Sequence, residues 1–110
     1  MHYLLFYEAQ PDYVERRTAY RAVHLALAEE YVARGELLLA GALAEPIDGA
    51  VFLFQGSSPA VAEEFAKRDP YVINGLVKSW RVRTWPTVVG KDAATPLSSA
   101  QFRSLSEPAL

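Results

Sequence analysis

Cysteine is absent from this 110-residue chain, methionine occurs once and histidine only twice. Without cysteine there is no disulfide scaffold, no thiolate zinc site, no iron–sulfur cluster and no thiol nucleophile. His2 and His24 stand far apart in sequence, so no metal site is expected. No apolar run reaches the roughly 20 residues of a membrane span. Met1–Tyr7 is too short for a signal-peptide core and lacks a basic start. Neither sign of charge dominates: 11 Lys+Arg against 13 Asp+Glu leave a net −2, whereas a nucleic-acid binder concentrates cations. Glycine-rich phosphate loops are missing as well. These absences predict neither a nucleic acid nor a membrane as partner, and a cytoplasmic setting.

What is present is enough for one packed domain: 51% of the residues are hydrophobic and 22% charged. His2–Ala9 is aromatic and branched-apolar and reads as a strand, ended by Gln10-Pro11-Asp12. Asp12 with Glu15 three residues on is a capping-box pattern, so a helix is predicted from Tyr13 to Arg34, stopped by Gly35. Glu36–Leu43 and Ala50–Gln55 read as two strands of a hairpin around Glu45-Pro46-Ile47-Asp48-Gly49. Ser57-Ser58-Pro59 supplies an N-cap serine for a second helix, Pro59–Arg68, which ends before Asp69-Pro70. Tyr71–Gly75 reads as a connection and Leu76–Val89 as a fourth strand. Residues 1–90 thus form the expected domain. Residues 91–110, rich in Ser, Ala and Pro, form a tail with a short helix near Ser98–Leu105.

The order β-α-β-β-α-β is the ferredoxin-like, split βαβ arrangement, an α+β fold with a four-stranded antiparallel sheet. Its two helices cover one face only. The strands are apolar on both: Tyr3, Leu5 and Tyr7 alternate with His2, Leu4 and Phe6, and Val51 and Leu53 alternate with Phe52 and Phe54. A large exposed apolar face marks an interaction surface. A homodimer packed sheet to sheet is the simplest consequence.

On a helical wheel at about 100° per residue, Tyr20, Leu27, Ala28 and Tyr31 fall within about 60° of His24. His24 therefore lies mid-stripe, facing the sheet. Arg17 is on nearly the same line and Arg21 is close to it. Taken alone, a histidine on a helix face is more often a packed structural residue than a catalyst, and Arg17 and Arg21 can snorkel to solvent. Asp69, before a proline, reads equally as a cap for the turn after it or as a carboxylate that orients His24. Tyr7, Tyr20, Tyr31 and Tyr71 are candidates to line a pocket, with core packing the commoner fate. Arg81 and Arg83 share a face of the last strand with Trp85; a solvated edge is the better reading than an anion site. Ser57 and Ser58 read as caps, because no base is adjacent. His2 reads as structural or merely exposed.

The run Arg21-Ala22-Val23-His24-Leu25, then Gly35, then Leu39-Ala40-Gly41-Ala42-Leu43, then Ser58-Pro59 and Asp69-Pro70-Tyr71 resembles the YCII-related domain family. The likeness covers about Met1 to Gly90, and it is the ordered set that is specific. The family is similar in fold to the dimeric α+β barrels, which implies ferredoxin-like subunits packed through their sheets. It implies a His–Asp active-site pair, matched here by His24 and Asp69, and a basic residue one turn earlier, matched by Arg21. The resemblance turns His24 from a structural into a functional candidate. It does not assign a reaction. Ala42 stands after Gly41 where members often carry proline.

The expected function is a cofactor-independent enzyme on a small molecule, anionic or aromatic. His24 would be general acid or base, in elimination, isomerisation or lyase-type chemistry, with hydrolysis open if water enters. Asp69 would fix the imidazole tautomer, with Arg21, Arg17 and Tyr71 contacting the substrate. The rival expectation is a non-catalytic binding or accessory dimer of the same fold.

Overall fold

The computed structural model describes residues 1–106. Its elements are β1 (His2–Ala9), α1 (Tyr13–Arg17), α2 (Arg21–Ala33), β2 (Leu37–Leu43), β3 (Gly49–Gln55), α3 (Ala60–Arg68), α4 (Pro70–Ile73), β4 (Val77–Trp85) and α5 (Ser99–Ser106). The four strands form one antiparallel sheet in the order β2-β3-β1-β4, the ferredoxin-like α+β fold. Residues 107–110 of the expected tail lie outside the described residues.

Period-two alternation sorts the strands into two faces. Tyr3, Leu5 and Tyr7 of β1 and Ala50, Phe52 and Phe54 of β3 are buried beneath the helices. Tyr31 of α2, Phe65 of α3 and Tyr71 of α4 meet them from above; Phe65 lies edge-on or tilted against Tyr31, Phe52 and Phe54, Tyr31 is edge-on to Phe54, and Phe52 and Phe54 stack. The opposite face carries Leu4 and Phe6 of β1, Leu39 and Leu43 of β2, Val51 and Leu53 of β3, and Arg81, Arg83 and Trp85 of β4, as the register requires. No helix among the described residues lies on it. His2 belongs to this face but is buried, its Nδ1 sharing a 2.6 Å hydrogen bond with Thr87 Oγ1.

The first helix is not continuous. Its chain breaks at Thr18–Tyr20, where the amides of Ala19 and Tyr20 bond the carbonyls of Arg16 and Arg17 in tightened three-residue turns. The break lets α1 press Tyr13 edge-on against Tyr71 while α2 lays His24, Leu27, Ala28 and Tyr31 towards the sheet. Tertiary packing overrides a local sequence that contains no breaker. The capping box is likewise unformed: Asp12 stands at the N-cap position without a side-chain bond to the helix. Ser58 does cap, one residue further from its helix than expected, its Oγ accepting from the Ala60 amide at 3.3 Å.

Gly35 stops α2 as predicted. It adopts φ +75°, and the amides of Gly35 and Glu36 reach back to the carbonyls of Val32 and Tyr31, a Schellman closure. Gly75 repeats the device after α4, with φ +74° and the amides of Gly75 and Leu76 on the carbonyls of Val72 and Tyr71. The segment expected to be a mere connection is therefore a capped helical turn. That turn builds the site.

Candidate functional site

Asp69 sits at the joint between α3 and α4. Proline at position 70 disfavours helical backbone at the residue before it, and Asp69 is extended at φ −71°, ψ 123°. The chain turns there, and the side chain folds back to accept the Tyr71 amide on Oδ1 at 3.0 Å. Its carboxylate is wholly buried, yet it is supplied with donors: the Tyr7 hydroxyl donates to Oδ2 at 2.7 Å. His24 Nδ1 lies 2.9 Å from Oδ1 and 3.0 Å from Oδ2. The capping and orienting readings of Asp69 are thus both realised by one carboxylate.

Facing a carboxylate, Nδ1 of His24 carries the proton and donates it. Nε2 is left to present its lone pair, and it makes no hydrogen bond among the described residues. The ring is clamped: it stacks on Tyr71 at 3.9 Å and 8°, with Phe52 and Phe65 edge-on at 6.2 and 6.3 Å. Its side chain keeps 12% exposure, and that exposure opens into a cavity of about 200 Å³. The cavity is lined by Tyr13, Arg17 and Arg21, by Tyr71, and by Phe52 with Ala40, Gly41 and Ala42 of the neighbouring β2 forming a wall. The departure at Ala42 therefore falls on the wall and leaves the His24–Asp69 contact untouched.

All five sequence-predicted site residues converge here, though Arg17 and His24 do so across the helix break rather than along one helical line. Tyr20 packs partly buried against the core, and Tyr31 is core, donating to Glu64 Oε1 at 2.6 Å. Arg81 and Arg83 are carried to the opposite sheet face, where Arg81 stacks over Phe6 at 4.6 Å. One participant, Tyr13, was not singled out by sequence, and another, Tyr7, has a different task from the one expected. Tyr13 lines the cavity, and its position four residues before Arg17 was the available signal. Tyr7 was noted only as a pocket candidate; its inward place on a central strand is what lets it donate to Asp69.

Burial, reinforced by the Asp69 charge, pushes the Tyr7 phenol far above its ordinary 10.0. Burial also raises Tyr13, against the opposing pull of Arg17, and it raises Tyr31 and Tyr71. Tyr7 is accordingly a fixed donor at every pH at which the fold persists. In the unfolded chain these phenols ionise near pH 10, so above that the native state binds more protons than the unfolded one. Stability is present in full below about pH 10 and falls as pH rises beyond it. Phenolate absorbance is expected to lag behind free tyrosine for these four residues and to appear together with unfolding. Four phenolates titrating normally in the folded protein would contradict this.

The sequence pattern of the YCII-related domain matches residues 1–86. The chain belongs to that family. No curated protein matches the chain, but solved structures do. A 5-chloro-2-hydroxyhydroquinone dehydrochlorinase from Burkholderia phenoliruptrix, in complex with 2,5-dihydroxybenzoquinone, superposes with a TM-score of 0.69 at 20% identity, over 79% of this chain and 95% of that one. A structural-genomics target from Agrobacterium tumefaciens gives 0.52 at 17% identity, over 86% and 98%. A NIPSNAP family protein from the same species gives 0.51 at 14% identity, over 84% and 95%. At these identities the likeness is one of fold. Among the described residues, no helix of this YCII-related chain is long and apolar enough to cross a membrane.

Proposed function

We propose that this YCII-related protein is a cofactor-independent enzyme that transfers a proton on a small organic substrate, with His24 Nε2 as general base and then acid. One observation carries the reading: Nδ1 is committed to a buried carboxylate while the His24 ring lines a cavity walled by two arginines. Asp69 fixes the tautomer and stabilises the imidazolium formed in turnover, and Arg17 and Arg21 receive developing negative charge. Eliminations and isomerisations need only such a base and an anion stabiliser. The dehydrochlorinase among the fold neighbours supports this class, since loss of hydrogen chloride begins with a proton to remove.

The test is a panel of small hydroxylated and carboxylated rings, 5-chloro-2-hydroxyhydroquinone included, incubated in deuterated buffer. His24-dependent uptake of deuterium or release of product is expected, and His24→Gln should lower the rate by about 10²–10⁴. Binding without any His24-dependent exchange across the panel would overturn it. A second reading, a non-catalytic binding protein, would then stand. It draws on the same carboxylate, because Asp69 also ties α4 to β1 and so has a structural task.

We further propose that residues 1–90 form the functional unit, in a cytoplasmic setting, and that two copies pack through the open sheet face. Leu39, Leu43 and Trp85 are 70%, 48% and 45% exposed there. With Leu4, Val51 and Leu53, Leu39 and Trp85 border a shallow apolar cleft. So much contiguous apolar surface is uncommon on a monomer.

A further inference from the structure

We propose that the cavity beside His24 takes a flat organic monoanion one ring in size, whose charged oxygen is held jointly by Arg17, Arg21 and the hydroxyl of Tyr71. This deepens the acid–base reading and rests on it only for where the reacting proton lies.

Charge is the first support. The cavity is lined by two guanidinium groups and by no carboxylate. Neither Arg17 nor Arg21 forms an ion pair among the described residues, whereas Arg16 pairs with Asp12, Arg34 with Glu30 and Arg68 with Glu30. The one carboxylate nearby, Asp69, is buried behind His24 and occupied by its three donors. Two cations facing an enclosed space without a counter-charge favour an anion in it.

The Tyr71 hydroxyl is the second and independent support. Tyr71 is 1% exposed, and its oxygen is buried without a hydrogen-bond partner. The other phenols at the core do not share this condition: Tyr7 donates to Asp69 and Tyr31 to Glu64. A buried donor without an acceptor is costly and calls for a reason. Tyr13, Arg21, Asp69 and Arg17 all act electrostatically on it, and Tyr71, Arg17 and Arg21 line the same cavity. A ligand oxygen placed there would satisfy the hydroxyl and both cations at once.

Shape is the third. Cavities of about 150 Å³ accommodate benzene, so a cavity of about 200 Å³ holds one substituted ring. The lining combines the stacked His24 and Tyr71 rings with Phe52 and, beside Phe52 on the same sheet face, Ala40 and Ala42. Flat rings next to small side chains suit a planar guest.

Benzoate and benzamide, equal in shape and different in charge, are the probes, titrated into the full chain by calorimetry and by NMR. Benzoate is expected to bind at least about tenfold tighter, a difference of about 1.4 kcal/mol. Tyr71→Phe keeps the ring stack and the amide bond to Asp69 and removes only the hydroxyl. It should weaken benzoate by about five- to tenfold while melting at or above the wild-type temperature. Arg17→Gln with Arg21→Gln should abolish the preference. Equal affinity for the two probes, no binding of either at millimolar concentration, or a Tyr71→Phe protein with wild-type affinity would overturn the inference. The preference should survive His24→Gln. Preference without turnover therefore spares this inference and rejects the acid–base reading, and turnover without preference does the reverse.

Discussion

Asp69→Asn is expected to leave a folded protein whose turnover is lower by about 10³–10⁴, and Asp69→Ala to cost about 3–5 kcal/mol of stability. The two variants separate what the carboxylate does. It accepts from the Tyr7 hydroxyl, the Tyr71 amide and His24 Nδ1, at 2.7, 3.0 and 2.9 Å. Alanine leaves all three donors buried and unsatisfied next to a cavity, which is the combination that makes a polar-to-apolar change expensive. Asparagine fills the same space but offers one acceptor oxygen and an amide group. The oxygen keeps the Tyr71 amide at the Oδ1 position, and the side-chain amide takes the Oδ2 position, where the Tyr7 hydroxyl can turn to accept from it. The side-chain amide then faces His24, which must accept on Nδ1 and carry its proton on Nε2, the nitrogen proposed as the base. A base has become a donor, with little change in shape. Chemical denaturation and the rate of His24-dependent exchange measure the two effects separately. An asparagine variant with a rate within threefold of wild type would show that Asp69 only caps α4.

Leu53→Glu is expected to convert a dimer into a stable monomer. Leu53 sits on β3 opposite Leu39 of β2 and Leu4 of β1, at the middle of the open face. Its side chain contributes nothing to the core beneath the helices, so a carboxylate there should leave the monomer fold intact. In a face-to-face pair the same carboxylate would be taken out of water, with Arg81 and Arg83 of its own chain two strands away on β4, at several kcal/mol per copy, which raises the dissociation constant by at least about a thousandfold. Sedimentation at about 10 µM, a concentration typical of such weak-to-moderate associations, should show twice the 12.2 kDa chain mass for wild type and the single mass for the variant. Wild type sedimenting at the single mass would remove the sheet-to-sheet pair.

The fold was legible because its signals were local and repeated. The alternation of Tyr3, Leu5 and Tyr7 with Leu4 and Phe6 marked a strand, its two-sided apolarity marked an uncovered face, and Gly35 marked a helix end. Within the site, His24 and the arginines could be grouped by helical period, and Asp69 by its place before proline. What stayed hidden was set by contacts between distant segments. Nothing in Thr18-Ala19-Tyr20 announces a break; it exists because Tyr13 must meet Tyr71 and His24 must meet the sheet. The capping box at Asp12 and Glu15 met every sequence criterion and did not form. The stack of His24 on Tyr71 joins residues 47 positions apart and follows from the α4 turn, which period and composition gave no means to see.

The joint at Asp69 also limits how far the molecule can be reduced. Its hydrogen bonds reach back 45 residues to His24 and 62 to Tyr7, and Tyr7 lies on a strand flanked by two others. A peptide bearing α2, α3 and α4 would hold the histidine, the aspartate and Arg21, yet lack Arg17, the strand that furnishes the phenol and the surface on which the imidazole rests. The proposed reactivity therefore depends on the assembled sheet and helices rather than on any segment. It should vanish in the same cooperative step as the fold, with no active fragment surviving limited proteolysis within residues 7–71.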